Sequence, residues 1–167
     1  IEGCRITAVA DVVAERAQRA AAQHGSQAYV DHRELLGKVD AVSIAVPTVA
    51  HHETALTFLE AGVHVLLEKP ITVTLAEADA LIAAAGRNNA VLQVGFIERF
   101  NPAVIALAKV IQQPLFIEAH RLHPFFERGT DVDVILDLMI HDLDVILHFV
   151  KSPVAAIDAV GVSVLSE

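Results

Sequence analysis

The sequence predicts an α/β protein in which a doubly wound parallel sheet is followed by the start of an α+β second domain. Short runs of Val, Ile and Ala alternate with longer segments of helical spacing in the first part of the chain. Near-continuous apolar strands between helices are typical of a parallel sheet covered on both faces. After Phe96 the rhythm changes, so we expect a domain boundary near residues 98–101 that divides 1–98 from 99–167.

In the first unit, the predicted strands and helices alternate. The strands span residues 4–10, 28–30, 41–46, 63–67 and 91–96, and the helices span 12–24, 33–36, 51–61 and 75–88. Gly62 suits the end of the helix at 51–61, because glycine adopts the left-handed conformation of a helix end without a steric penalty. Thr74 can cap the helix that follows, since Glu77 stands at the capping-box position.

The second unit contains fewer elements. Its predicted helices span 101–111 and 132–150, its predicted strands span 114–122 and 154–165, and a loop punctuated by Pro and Gly spans 123–131. Two strands and two helices are too few for an independent core. We therefore expect the chain to be the middle of a longer protein, which the absence of an initiator Met also suggests.

The composition indicates a globular protein and argues against several classes. Hydrophobic residues make up 54% of the 167 residues, and the mean hydropathy of +0.50 is sufficient for a core. The apolar regions are interrupted well before the ~20 residues that a membrane span needs. A net charge of −9 without a Lys/Arg cluster argues against nucleic-acid binding. The only cysteine, Cys4, permits no internal disulfide, which is consistent with a cytoplasmic location.

Polar or charged residues stand at several predicted strand ends, which is where open parallel sheets bind ligands. These positions are Asp11, Pro47, Thr48, Glu68, Lys69, Pro70 and Gly95. In a dinucleotide-binding sheet, a carboxylate such as Asp11 accepts hydrogen bonds from the adenosine ribose and favours NAD over NADP. Asp is also a good helix N-cap, and the sequence leaves both interpretations open. The glycine fingerprint G-x-G-x-x-G is absent; it would belong just before the first residues of this chain.

A second group of polar residues lies in the long helix predicted at 132–150. Asp137, His141, Asp144 and His148 are spaced by four, three and four residues, which places them on one stripe of a helix. An Asp one turn from a His can orient the imidazole as a general base. A solvated helix face, or a carboxylate–histidine pair that only braces the fold, explains the same spacing.

Other candidate sites are weaker. The histidines His51, His52, His120 and His123 have no recognised metal-binding spacing and no cysteine ligands beside them, so we expect no metal site. Arg99 and Arg121 could meet an anionic substrate, although isolated arginines are more often solvated.

Five stretches together resemble the Gfo/Idh/MocA oxidoreductases, the family of glucose–fructose oxidoreductase and inositol dehydrogenase. They are TAVADV, AVPTVAH, GVHVLLEKPITVTLAEA, VLQVGFIERFNP and LDLMIHDLD, and they cover essentially the whole chain. The specific part is Glu-Lys-Pro at 68–70 combined with Asp-x-x-x-His at 137–141. Within the family, the region from His120 to Leu147 is most similar to the UDP-N-acetylglucosamine 3-dehydrogenase branch.

The resemblance implies a Rossmann-type NAD-binding unit, here without its first strand and glycine loop, and a partial substrate and oligomerisation unit. It implies that Lys69, Asp137 and His141 form the catalytic group, with His141 as proton acceptor and Asp137 as its orienting partner. It also implies that Glu68 and Pro70 shape the turn around Lys69, with a Lys69–Pro70 bond that can be cis. The implied cofactor-side residues are Asp11, Pro47, Thr48, His51, Glu68, Lys69 and Pro70.

The implied activity is an NAD-dependent dehydrogenase that transfers a hydride between a hydroxyl of a sugar or sugar nucleotide and nicotinamide. The resemblance further implies a homo-oligomer at full length. The alternative is a non-catalytic regulatory protein of the same fold that senses a sugar or dinucleotide. Retention of Lys69, Asp137 and His141 together favours the enzyme, because a sensor does not need the acid–base set.

Overall fold

The computed structural model describes residues 3–122 and 133–162 of the chain and confirms the predicted α/β class. All strand pairs in that part are parallel. β1 pairs with β2, and a second sheet has the order β3-β4-β5. The strands are β1 (Ala8–Ala10), β2 (Gln27–Tyr29), β3 (Ala41–Ile44), β4 (His64–Leu67) and β5 (Leu92–Val94).

Helices connect these strands and continue beyond the sheet. They are α1 (Ala14–His24), α2 (His51–Glu60), α3 (Leu75–Arg87), α4 (Pro102–Ala108) and α5 (Ile140–Phe149). Three-residue or four-residue 3₁₀ turns occur at His32–Leu35, Thr48–Ala50 and Ile97–Phe100, and a π-helix spans Ile135–Met139. No helix in the described part of the chain has the length and apolar character to cross a membrane.

The helix-end predictions are confirmed. Thr74 Oγ1 accepts a hydrogen bond from the backbone N–H of Glu77, and the Glu77 carboxylate accepts one from the backbone N–H of Thr74 at 2.9 Å. This reciprocal pair is the predicted capping box. Gly62 follows α2 with a φ of 74°, the left-handed conformation that glycine adopts without strain.

The core lies between α2, α3 and one face of the β3-β4-β5 sheet. The largest fully buried apolar side chains are Phe58, Leu59, Leu67, Leu81 and Val65. On β4, Val65 and Leu67 point into this core, whereas Leu66 between them is 46% exposed. This alternation follows from the two-residue period of a strand. Because Val65 and Leu67 pack into the core, β4 is held in place, and this also sets the position of Lys69 just beyond its end.

Two predicted strands of the second unit are wrong in the described residues. No strand forms in 114–122 or in 154–162. Leu115 and Val160 are each 97% exposed. A strand is stabilised by hydrogen bonds and side-chain pairs to a neighbouring strand, and these segments have no neighbouring strand in the described part of the chain. Residues 163–165 and the predicted loop at 123–131 lie outside the described residues.

The helices predicted in the second unit are present in altered form. Asn101 caps α4 by accepting a hydrogen bond from the N–H of Ala103 at 3.0 Å, as the Asn-Pro start predicts. The long helix predicted at 132–150 begins with the π-helix and continues as α5, while residue 132 lies outside the described residues. The division of the chain near residues 98–101 stays a prediction.

Candidate active site

A cavity of about 520 Å³ opens at the carboxyl ends of β3 and β4. Parallel strands place their following residues at one edge of the sheet, so side chains distant in sequence converge there. The cavity is lined by Ala45, Val46, Pro47, Thr48, His51, Glu68 and Lys69. Five residues that the sequence singled out therefore lie around one cavity.

Lys69 extends from the end of β4 to the π-helix. Its ammonium group donates to the backbone carbonyl of Asp137 at 2.6 Å and to the carboxylate Oδ1 of Asp137 at 3.0 Å. The Lys69 side chain is 19% exposed. The bond between Lys69 and Pro70 is cis, as expected. The pair confirms that the two motifs meet in space, although 68 residues separate them.

Asp137 contacts Lys69 instead of His141, which differs from the expected orienting role. The carboxylate accepts a hydrogen bond from Lys69, and Nδ1 of His141 is buried without a hydrogen-bond partner among the described residues. The segment that carries Asp137 is a π-helix, with i→i+5 hydrogen bonds from Ile135 to Met139. Lys69 reaches the Asp137 carboxylate from the end of β4, a contact that the spacing along the helix does not indicate.

The surroundings of His141 favour its neutral imidazole. Burial is the main reason that the pKa of His141 lies below its ordinary value. The positive charges of Lys69 and Arg121 lower this pKa further, while Glu98 and Asp142 act in the opposite direction. A neutral imidazole can accept a proton, so His141 has the charge state that a general base requires.

Arg99 and Arg121 are both paired with carboxylates of α5 and are not isolated surface arginines. Arg99 donates to both carboxylate oxygens of Asp144, with Nε 2.7 Å from Oδ2. Arg121 donates to both oxygens of Asp142 at 2.9 and 2.8 Å, and these bonds lower the pKa of Asp142. Asp144 is 7% exposed, so the alternative of a solvated helix face does not hold at this position.

His51 is a fully buried member of the cavity lining, and its ring contacts backbone carbonyls. Its side chain is 1% exposed. Nδ1 lies 2.8 Å from the carbonyl oxygen of Pro70, and Nε2 lies 3.0 Å from that of Val46. Both ring nitrogens therefore contact backbone, so His51 connects the ends of β3 and β4 where the sequence predicted a cofactor contact.

Glu68 and Gly95 come close together at the ends of β4 and β5. A Cβ atom on Gly95 would lie 3.3 Å from Oε2 of Glu68, which is tighter than most such contacts. Glycine at this position therefore leaves room for the Glu68 carboxylate. The sequence marked Gly95 only as a strand end.

Asp11 lies at the end of β1 and has a local partner. Its Oδ1 accepts hydrogen bonds from the N–H of Val13 at 2.8 Å and from Nε of Arg16 at 3.1 Å. Oδ2 accepts no hydrogen bond from the described residues. Arg16 places its guanidinium beside Asp11, at the predicted ribose site, and the sequence alone did not point to this residue. An arginine five residues after the Asp at the strand end was the signal that could have indicated the contact.

In residues 3–122 and 133–162, no three His, Cys, Asp or Glu side chains are grouped so that they could hold a metal ion. His123, one of the histidines considered as a ligand, lies outside the described residues.

Comparison with known proteins decides the family. The sequence profile of the GFO_IDH_MocA family, described as an oxidoreductase family with an NAD-binding Rossmann fold, matches residues 2–96.

The chain belongs to this family.

UDP-N-acetylglucosamine 3-dehydrogenase of Acidithiobacillus ferrooxidans is 43% identical over 98% of the chain and 52% of its own length. A solved structure of that enzyme, GnnA, superimposes with a TM-score of 0.90 over 96% of this chain and 54% of its own.

More distant relatives have other named substrates and cofactors. The inositol 2-dehydrogenase/D-chiro-inositol 3-dehydrogenase of Shouchella clausii is 34% identical over 89% of this chain and 46% of its own. The structure of KijD10, a 3-ketoreductase from Actinomadura kijaniata in complex with NADP, is 32% identical and covers 64% of this chain and 34% of its own, with a TM-score of 0.60. The chain spans about half the length of the curated relatives it matches.

Proposed function

We propose that the protein is an NAD-dependent dehydrogenase that transfers a hydride between a hydroxyl of a sugar or sugar nucleotide and nicotinamide. The observation that carries this proposal is that Lys69, which lines the cavity at the strand ends, pairs with Asp137 and lies near enough to His141 for its charge to lower the pKa of that imidazole. The names of the similar proteins, which act on UDP-N-acetylglucosamine or inositol, support this substrate class. UDP-N-acetylglucosamine is the first candidate because that relative matches almost the whole chain.

The residues at the strand ends fit a nicotinamide dinucleotide. Oδ2 of Asp11 is available for a ribose hydroxyl, and the negative charge of Asp11 disfavours a 2′-phosphate. Pro47, Thr48 and Glu68 line the cavity next to Lys69, where the nicotinamide would lie. The bound nicotinamide supplies the acceptor or donor of the hydride. Arg16 is the feature that favours NADP, since an arginine beside the ribose can accept a 2′-phosphate.

Lys69 is proposed to hold the reacting oxygen of the substrate. An ammonium group has three protons to donate, and Asp137 accepts two of them, one at its backbone carbonyl and one at its carboxylate. The third remains for a substrate oxygen in the cavity. The two fixed bonds orient Lys69, so the third N–H direction is set before the substrate binds.

His141 is proposed to take the hydroxyl proton. Its Nδ1 is buried, so Nε2 is the ring nitrogen left to accept a proton. Asp137 acts on this step through Lys69, whose position it fixes. We further propose that the natural protein is cytoplasmic, because the chain has a single cysteine and can form no internal disulfide. We also propose that it assembles as a homo-oligomer.

The test is turnover by the natural protein that carries this sequence. UDP-N-acetylglucosamine, inositol and simple aldoses are supplied in parallel, each with NAD and with NADP, and nicotinamide reduction is followed by absorbance. We expect turnover with NAD on one of these substrates and a loss of about 100-fold or more in Lys69→Ala. Binding of NAD without any turnover across a wider sugar panel would favour the sensor alternative instead.

A further inference from the structure

A second ion pair joins α5 to the strand-end region. Arg99 lies in the 3₁₀ turn at Ile97–Phe100, directly after the end of β5, and donates to both carboxylate oxygens of Asp144 on α5. The side chain of Arg99 is 43% exposed and that of Asp144 is 7% exposed. A two-pronged guanidinium–carboxylate contact fixes the angle as well as the distance between its partners.

This pair and the Lys69–Asp137 pair lie on opposite sides of His141 along the chain. Asp137 precedes His141 by four residues and Asp144 follows it by three. Each carboxylate is held by a cation from the strand-end region, Lys69 on one side and Arg99 on the other. These two pairs hold the segment on both sides of His141, and Arg121 holds Asp142 between them.

A third ion pair, Arg121 with Asp142, also holds this segment, but few buried contacts of the described residues add to the three pairs. Asp144 is the only buried residue of α5, and the preceding π-helix has none. The apolar side chains Leu143 and Leu147 are 42% and 52% exposed. Within the described residues, α5 is therefore held mainly by charged contacts.

We propose that Arg99 is a positioning residue for turnover, which through Asp144 holds α5 so that His141 faces the cavity beside Lys69. The proposal rests on the proposed function of His141 as proton acceptor. An ion pair with one buried partner contributes little net stability compared with apolar contacts. The two-pronged contact of Arg99 with Asp144 still constrains their relative orientation. That property suits a residue whose effect is on geometry.

The test compares three variants of the natural protein. Arg99→Lys keeps the charge but loses the two-pronged contact, and Asp144→Asn keeps the shape but loses the charge. Arg33→Lys is the matched control, because Arg33 also donates to a carboxylate, that of Asp31, but is 63% exposed on the surface.

We expect kcat to fall about 10- to 100-fold in Arg99→Lys and Asp144→Asn, with the KM for NAD little changed, since small displacements of a catalytic group have effects of this size. The double variant should lose no more than the worse single variant, because both changes break one contact. The acid limb of the kcat profile should move to higher pH, since a less buried His141 protonates more readily. If Arg99 had only a structural role, the substitutions would lower the melting temperature and would leave the acid limb of the kcat profile at its wild-type pH.

A second measurement does not depend on turnover. Diethyl pyrocarbonate modifies accessible imidazoles, and peptide mass spectrometry gives the rate at His141. We expect this rate to rise several-fold in Arg99→Lys and Asp144→Asn and to stay at the wild-type value in Arg33→Lys. An unchanged rate overturns the proposal. If His141 is modified faster but kcat and its pH profile are unchanged, the positioning role is overturned. If the wild-type protein shows no turnover, that result counts against the proposed function alone.

Discussion

At the scale of single residues, charge state decides what each side chain can do. Lys69 and His141 lie close enough for the ammonium charge to lower the pKa of the imidazole. Asp137 accepts two hydrogen bonds from Lys69 and so balances that charge. A cation that can donate to an oxygen therefore lies near a neutral imidazole that can accept a proton, which is the combination that the proposed alcohol oxidation requires.

The lowered pKa of His141 gives a pH prediction. The base works as neutral imidazole, and burial and Lys69 both disfavour the protonated form. Alcohol oxidation should therefore persist below the ordinary titration range of histidine and be lost only as the pH falls through the lowered pKa. The kcat/KM profile of the natural protein tests this. An acid limb at or above the ordinary histidine value would contradict the environment described for His141.

At the scale of elements, backbone contacts set the position of the strand-end turns. The imidazole of His51, at the start of α2, lies within hydrogen-bonding distance of the carbonyls of Val46 and Pro70. A neutral imidazole has one N–H, so it donates to one of these carbonyls. Through this contact α2 connects the turn after β3 to the turn after β4, which carries Lys69.

Removing the His51 ring should therefore be costly. His51→Ala removes a buried ring whose nitrogens contact the carbonyls of Pro70 and Val46, and we expect the free energy of unfolding to fall by about 1–3 kcal/mol. The neighbouring His52→Ala, at a partly exposed position, should change it by less than about 0.5 kcal/mol. Urea denaturation followed by circular dichroism measures both. Equal effects of the two substitutions would show that the His51 contacts do not hold the turns.

Patterns within one element were predictable from sequence, and contacts between distant elements were not. The capping box of Thr74 was predictable because it involves residues three apart. The strand β4, which precedes Lys69, was predictable because it is a local apolar run. The pairing of Arg99 with Asp144 joins residues 45 apart and leaves no periodic signal. The spacing of Asp137 and His141 predicted a contact within one helix, whereas the partner that Asp137 meets is Lys69, 68 residues away in sequence.

At the scale of the whole molecule, the packing is uneven along the chain. The elements from β3 to α3 enclose the buried core, whereas the segments at 114–122 and 154–162 leave large apolar side chains exposed. Phe116 and Ile157 are each 82% exposed. The prediction of strands there failed because local sequence indicates a preference for extended structure but not the presence of a neighbouring strand.

This unevenness predicts a gradient of hydrogen exchange in the 167-residue chain. The amide of Val65 in β4 is buried and donates to the carbonyl of Val91 at 2.8 Å. Amides at 154–162 should exchange at least ~100-fold faster than those of β4, because local opening there breaks no strand pairing. Mass spectrometry of exchanged peptides measures both regions at once. Comparable protection in the two regions would mean that 154–162 has a partner in solution.

The most direct test of the proposed chemistry is the rate of nicotinamide reduction by His141→Ala in the natural protein, beside His148→Ala. Both residues are histidines of α5, but only His141 lies next to Lys69 and Arg121. With saturating substrate and NAD, we expect kcat to fall about 100-fold or more in His141→Ala, the usual contribution of a general base, and less than about threefold in His148→Ala. Equal rates in the two variants would contradict the assignment of His141 as the proton acceptor.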